Sequence, residues 1–383
     1  MPRRVSPRKK RRCDDDGQSV STASPALDVN SVHFPQESVG SGSTEYAFSN
    51  NAGRRVRANS PSRELRAVYS HATPPIRFTT AVNEDTPAVV LELLERLPVG
   101  PEGVVPASVK DAIQEHFLLE RIPEYAFGNA SDFNASSEAR TIFRLAKTSI
   151  QKARAYFEES KSEAPWPSLC SSVLEAAFQQ PEFDGMVTGE DVQYSSINHS
   201  SLLPQVNATA VPTKKADLAL AISNSWPAAR PLYDAFCKAH PLQHLSQMSD
   251  PGVSRLVLPA CVEAGEPGKS YLEASIQLGL WCFAGLTKLA RMRTAVKSEA
   301  VRNRDLHTLD VLFRWTAIGM DWRLHVAYRD MTTGGVTVLG PLKCGGFQSV
   351  TDFFTLFKTA MLLAAWIKYH FWEEIRLVLE NLC

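Results

Sequence analysis

The chain has 383 residues, with 44% hydrophobic side chains and a formal net charge of zero. That length and apolar content support a sizeable core. The charge balance excludes a strongly basic body, because residues 1–64 hold 11 basic and 7 acidic side chains and the rest holds 30 and 34. The seven cysteines form no CxxC pair, so neither a zinc site nor a disulfide framework is expected.

Residues 1–64 are rich in Ser, Pro, Asn and Gly, lack periodicity, and are expected to be a disordered tail. They contain the basic run Arg8–Arg12, backed by Arg3 and Arg4, which reads as a nuclear import signal. With no secretory signal and no apolar run long enough to span a bilayer, a reduced intracellular compartment is expected, nuclear through that run and otherwise cytoplasmic. The sequons at Asn129, Asn134, Asn198 and Asn207 are then chance matches.

Residues 65–165 are expected to be a helical extension. "EDTPAVVLELLERLP" places Pro87 at a first helical position and Val90, Leu93, Leu94 and Leu97 on one stripe. "PASVKDAIQEHFLLERIP" offers a capping box from Ser108 to Asp111. "SSEARTIFRLAKTSIQKARAYFEES" is a longer helix whose Ile142, Leu145, Ile150 and Phe157 face a core.

Residues 166–383 change pattern. "PSLCSSVLEAAFQQ" predicts a helix and "DVQYSSIN" a strand. "TKKADLALAI" predicts a second strand, with Leu218, Leu220 and Ile222 opposite Asp217, Ala219 and Ala221. An irregular insertion is expected at 223–255, then a third strand in "LVLPACVEAGEPGKS", then an amphipathic helix in "YLEASIQLGLWCFAGLTKLARMR". "WTAIGMDWRLHVAYRD" alternates Trp322, Leu324, Val326 and Tyr328 against Asp321, Arg323, His325 and Arg329, and reads as one strand with an exposed polar face. "VTVLGPL" pairs back across "MTTGG", and a long helix opened by a Ser349–Asp352 capping box ends the chain. The order is helix, three strands, helix, two strands, helix: an α/β class with a mixed sheet flanked by helices.

Asp217 and Glu263 end up on neighbouring strands. Two such carboxylates suit one hard divalent ion, for which Mg2+ is the expected cofactor. In this order the chain resembles the fungal PD-(D/E)xK nuclease-like family, from about Leu65 to the C-terminus. The stretches that carry the resemblance include "GVVPASVKDAI", "PEYAFGNASDFNASSEAR", "TKKADLALAI", "ACVEAG", "ASIQLGLWCFAGLTKL" and "GMDWRLHVAYRD". It implies a restriction-endonuclease-like core with a helical N-terminal extension and a disordered tail. It also assigns Asp217, Glu263 and the trio Gln277, Leu278, Gly279 to the family's site motifs.

One motif position departs. Gly265 stands where the family has lysine. Lys215, two residues before Asp217 and so on its face of an extended strand, is the first candidate replacement. Lys269, four residues past Gly265 in a loop with Gly and Pro, is the weaker one. Glu175 is a candidate third metal ligand, and Gln277 a candidate for orienting substrate, with Trp281 one turn further on. His325 and Arg323 are candidates for touching a phosphate. His199, His240 and His244 lack metal-ligand spacing. Two functions fit: a Mg2+-dependent nuclease acting on DNA, or an inactive nuclease-fold protein that binds nucleic acid or a protein partner. No membrane association is expected.

Overall fold

The computed structural model describes residues 69–382 except 99, 119, 129–135, 163, 184 and 206–215. All of these belong to one compact unit, residues 58–383. The basic run Arg8–Arg12, Lys215, and the sequons at Asn129, Asn134 and Asn207 lie outside the described residues.

In chain order the elements are β1 (Ile76–Thr79), α1 (Ala88–Arg96), β2 (Val105–Pro106), α2 (Lys110–His116), β3 (Phe127–Gly128), α3 (Ser136–Glu158) and α4 (Pro165–Phe178). Then come β4 (Val187–Asp191), β5 (Leu218–Ile222), α5 (Arg230–Ala239), β6 (Ala260–Gly265), α6 (Tyr271–Ala295) and α7 (Glu299–Arg302). The chain closes with β7 (Val311–Ile318), β8 (Asp321–Arg329), β9 (Val336–Gly346), α8 (Val350–Trp366) and α9 (Trp372–Glu380).

Seven strands form one sheet in the order β1-β9-β8-β7-β6-β5-β4. The pairs β6–β7 and β1–β9 are parallel and the others antiparallel. β2 and β3 pair separately, in parallel. This is the mixed, helix-flanked sheet of a restriction-endonuclease-like α/β fold.

β7 shows why the sheet is buried on both sides. Its "VLFRWTAI" is buried at every position, which is the near-continuous apolar pattern of a two-faced core strand. Phe313 turns to one side and packs edge-on against Trp366 of α8 at 4.7 Å. Arg314 turns to the other and bonds Ser275 of α6. α6 lies close on that second face because two of its residues are glycines. A Cβ on Gly279 would stand 3.0 Å from Phe78 Cζ, and one on Gly285 would stand 2.7 Å from Leu312 Cδ1. The C-terminal stretch Val350–Glu380 is long and apolar enough to cross a membrane, but 61% of its apolar window is buried inside the protein. It serves as a core helix.

Several expectations shift. The single strand expected at 315–330 is a hairpin of β7 and β8, joined at Gly319 and Met320. Gly319 has φ +57°, at the first central position where a tight hairpin turn takes glycine. The order is therefore three strands, helix, three strands. The strand expected in "DVQYSSIN" lies earlier, at Val187–Asp191. The insertion at 223–255 contains α5, whose Tyr233 and Phe236 are buried. The stretch 65–165 is not all helical, because β1 joins the sheet edge beside β9. The Ser108–Asp111 capping box does not form: a 3-10 turn over Ala107–Val109 precedes α2, which has no side-chain cap. The Ser349–Asp352 box does form, with Ser349 accepting from the Asp352 amide at 3.0 Å.

The close approach of α6 is testable. Gly285→Ala forces Leu312 and Gln247 aside and should cost about 1–3 kcal/mol in urea unfolding. An unchanged midpoint would show that the helix can ride away from the sheet freely.

Candidate active site

The site forms where β5 begins and β6 ends. Asp217 immediately precedes β5, and its backbone is tied on both sides: its N–H donates to Val262 O at 2.9 Å and its carbonyl accepts from Val192 N at 2.9 Å. The side chain is fully buried, and Oδ2 accepts from the Ala264 amide at 2.8 Å. Glu263, next to Ala264 on β6, is also fully buried. The two acids thus converge on the Glu263–Ala264 peptide.

Burying two carboxylates requires compensation by charge. Lys269 supplies it. Its Nζ donates to Glu263 Oε1 at 2.8 Å and to Ala264 O at 3.0 Å. Its side chain is 19% exposed and that of Glu263 1%, so the pair is largely shielded from bulk water, which would weaken the attraction between the charges.

The local sequence explains how Lys269 arrives. Glu266-Pro267-Gly268-Lys269 is a tight turn, closed by the Lys269 amide donating to Glu266 O at 3.2 Å. Proline presets the first corner, and Gly268 takes φ +101° at the second, a type II pattern. The turn reverses the chain and lays the lysine stem back along the end of β6. A Cβ on Gly265 would overlap Lys269 Cδ and stand 3.3 Å from its Cβ. The glycine at the expected lysine position is therefore the space through which another lysine reaches the same carboxylate.

The other candidates fall as follows. Lys215 is not described, and Lys269, the weaker expectation, is the lysine at the acids. Glu175 lies on α4, its Oε1 accepting from Ser171 Oγ at 2.6 Å beside Gly189 of β4. Among the described residues no three His, Cys, Asp or Glu side chains are grouped to hold a metal ion, so Glu175 is not brought into a set with Asp217 and Glu263. Gln277 sits on α6 with Oε1 buried and accepting no hydrogen bond among the described residues. Trp281 is a buried core residue. His199 Nδ1 caps a short turn by accepting from Ser201 N at 3.1 Å. His240 Nε2 contacts Leu382 O at 2.9 Å. His244 stands in no metal-binding group.

The polar face of β8 is not the exposed surface its alternation suggests. α6 covers it, and His325 is only 5% exposed. Register explains its neighbours. Glu263 pairs with Thr316 and Thr316 with Arg323, while Cys261 pairs with Arg314 and Arg314 with His325. Partners in adjacent strands share a face, so two arginines and a histidine stand on the face that carries Glu263. Alternation could not reveal Arg314, because it sits in an otherwise apolar strand.

The oxygen donors here are two carboxylates and the Ala264 carbonyl. A hard divalent ion takes such oxygens and fills its remaining positions with water, so these residues fit Mg2+. When bound, such an ion would activate water and stabilise charge on a phosphoryl oxygen.

Sheet, flanking helices and the acid pair define a nuclease-like α/β domain. Residues 112–372 match the family described as the PD-(D/E)XK nuclease superfamily, and the chain belongs to it. No curated protein and no solved structure matches the chain.

Burial, followed by the charges of Arg314 and Arg323, pushes the His325 imidazole down to about 2. An unfolded chain protonates it near 6.5. Between those values the unfolded state holds the extra proton, so stability falls as pH drops below about 6.5. His325→Gln removes that contribution. Unfolding free energy should then fall less than in the wild type between pH 6.5 and 4.5, by about 2–3 kcal/mol. Denaturant titrations at the two pH values measure this, and equal losses in both proteins would place the imidazole in contact with water.

Proposed function

We propose that the chain is a Mg2+-dependent phosphodiesterase acting on DNA, with Lys269 in the role that the family gives to a lysine at position 265. The observation that carries this reading is the lysine itself. Its ammonium meets Glu263 Oε1 and Ala264 O through the gap left by Gly265. The missing amine at 265 and the slightly acidic body favour the alternative of an inactive fold, and the position of Lys269 weighs against the first of these.

The protein groups divide the work. Asp217 and Glu263 supply negative charge at a fixed point, held by the Ala264 amide and the strand pairing. Lys269 offsets that charge in the resting protein and, with substrate present, faces the scissile phosphate and the attacking water. A preorganised cation at such a point is worth roughly 100- to 1000-fold in rate. Gln277, on the helix above, brings a buried amide oxygen able to accept a hydrogen bond from water or substrate.

A DNA substrate is supported by local charge that the neutral total conceals. Arg140, Arg144, Lys147 and Arg154 recur at helical spacing along one side of α3. Arg140, Arg144 and Arg154 are exposed, and Arg154 reaches Gln348 O, just past the end of β9. β9 is antiparallel to β8, β8 to β7, and β7 is parallel to β6. The C-termini of β6 and β9 therefore lie at the same sheet edge, and the basic stripe begins at the edge where Glu263 sits. Such a stripe suits a phosphate backbone. The Arg8–Arg12 run agrees with this substrate as a nuclear import signal.

The test is a cleavage assay on DNA with added Mg2+ or Mn2+. Lys269→Met should lower the rate at least about 100-fold. The double variant Gly265→Lys with Lys269→Ala clears the stem from the gap, returns an amine to the site from the strand, and should recover a measurable part of the rate. Equal rates for wild type and Lys269→Met would sink the assignment. Calorimetry supplies an independent reading. Mn2+ binding should vanish in Asp217→Ala and in Glu263→Ala, yet persist in Lys269→Met, where the competing ammonium is gone. Absence of binding by the wild type at millimolar Mn2+ would remove the metal from the proposal.

A further inference from the structure

Across the sheet from Glu263, beneath the first turns of α6, lies a cavity of about 160 Å3. Its walls include Phe78, Tyr271, Ser275, Arg314, Arg323 and His325, with no carboxylate among them. We propose that this cavity is an anion site holding a phosphate group of the nucleic-acid strand, set beside the point of cleavage. The proposal rests on the nuclease reading above and gives that site a second point of contact with its substrate.

Four observations converge. First, the charge is positive and built in. Arg314 is fully buried, its guanidinium held by the Ser275 carbonyl and by Ser275 Oγ at 2.9 Å. Arg323 stacks on the Tyr271 ring, with Cζ 3.8 Å from its centroid. Asp321 at the rim accepts from its Nε at 2.9 Å, pairs with its Nη2 at 2.9 Å, and also accepts from the Tyr271 hydroxyl at 2.7 Å. The arginine is thereby fixed with its Nη1 left to meet an oxygen ligand.

Second, a polar atom is left waiting. His325 Nδ1 is buried and has no hydrogen-bond partner among the described residues. Buried polar atoms are rarely left so, because each costs its desolvation. Third, Gly340 lines the cavity close against that atom: a Cβ there would stand 2.7 Å from Nδ1, so a side chain at 340 would cover the nitrogen. The volume is about ten times what one water needs, so a tetrahedral anion fits. The amino end of a 25-residue helix also opens on the cavity, through Tyr271 and Ser275, and its dipole favours negative charge.

Fourth, the position matches a strand of phosphates. Glu263, Thr316 and Arg323 are successive register partners across β6, β7 and β8. Two inter-strand spacings separate the catalytic carboxylate from Arg323, about 10 Å. A nucleic-acid strand passing the amino end of α6 would set one phosphate near the acids and a nearby one at the mouth of the cavity. A structural role alone accounts for Arg314, which tethers α6. It does not account for the buried imidazole nitrogen left without a partner in the cavity wall.

The test uses the full chain without divalent metal. Imidazole NMR resonances of His325 are followed while inorganic phosphate is added. The expected result is a saturable shift of the His325 signals. Arg323→Gln should weaken the apparent affinity at least tenfold, and Arg323→Lys should retain part of it, with thermal melts confirming that both variants fold. Titration with a short DNA oligonucleotide, with and without a terminal phosphate, then names the source. Preference for the phosphorylated strand assigns the cavity to a strand end, and equal binding assigns it to an internal diester; both support the site. His325 signals that stay put at tens of millimolar phosphate overturn it, as does undiminished binding by Arg323→Gln. Lys269→Met, outside the cavity, separates the two readings. It should bind phosphate as the wild type does while failing to cleave. A wild type that binds phosphate but cleaves nothing keeps the anion site and removes the nuclease reading.

Discussion

Two fully buried carboxylates set the terms for everything around them. Asp217 and Glu263 have no water to share their charge, and a charge taken out of water without compensation is among the most destabilising things a fold can hold. The protein answers with an amide from Ala264 and an ammonium from Lys269. Both answers come from the six residues that follow Glu263. The strand supplies the amide, and the turn that ends the strand supplies the ammonium. Site and fold are therefore one unit, since the turn that starts α6 also neutralises the acids.

That coupling gives Gly265 its meaning. A lysine on the strand itself would point from β6 toward the acids. A lysine from the turn has to travel back over the strand end, and its stem needs the volume a side chain at 265 would fill. A side chain at 265 and the Lys269 stem exclude each other sterically, so the gap in the motif and the position of Lys269 are linked.

The acids were legible in the sequence because each interrupts or borders an apolar strand, a place where an ionised group is costly and so needs a reason. Asp217 before "LALAI" and Glu263 within "ACVEAG" stand out by that criterion alone. Lys269 was harder to place. Same-face spacing favoured Lys215, and only the Pro-Gly turn chemistry of Glu266–Lys269 reveals that position 269 folds back. Arg314 gave no signal, because an arginine in "VLFRWTAI" looks like a break in a core strand until α6 offers Ser275 to receive it. His325 looked exposed because alternation reports a polar face and is silent on what covers it. The hairpin at Gly319 was hidden for a related reason: apolar residues continue on both sides of a two-residue turn, so periodicity runs through it. Strand β1 is only four residues long and takes its identity from pairing with β9, far away in sequence.

Charge segregation follows from the same register. On the face beneath α6, Glu263 belongs to β6, Arg314 to β7, and Arg323 and His325 to β8, with Asp321 pairing Arg323 at the rim. The ladder hydrogen bonds keep the strands about 4.8 Å apart and so fix where each charged group starts from the backbone. The acidic end, where Lys269 sits, is suited to a cation. The basic end, where the cavity opens, is suited to an anion. A polyanion that comes with a divalent cation needs both ends at once, and a neutral chain can offer them only by sorting its charges along the sheet. The zero net charge thus conceals an uneven placement of buried charge across the sheet, and strand order sets that placement.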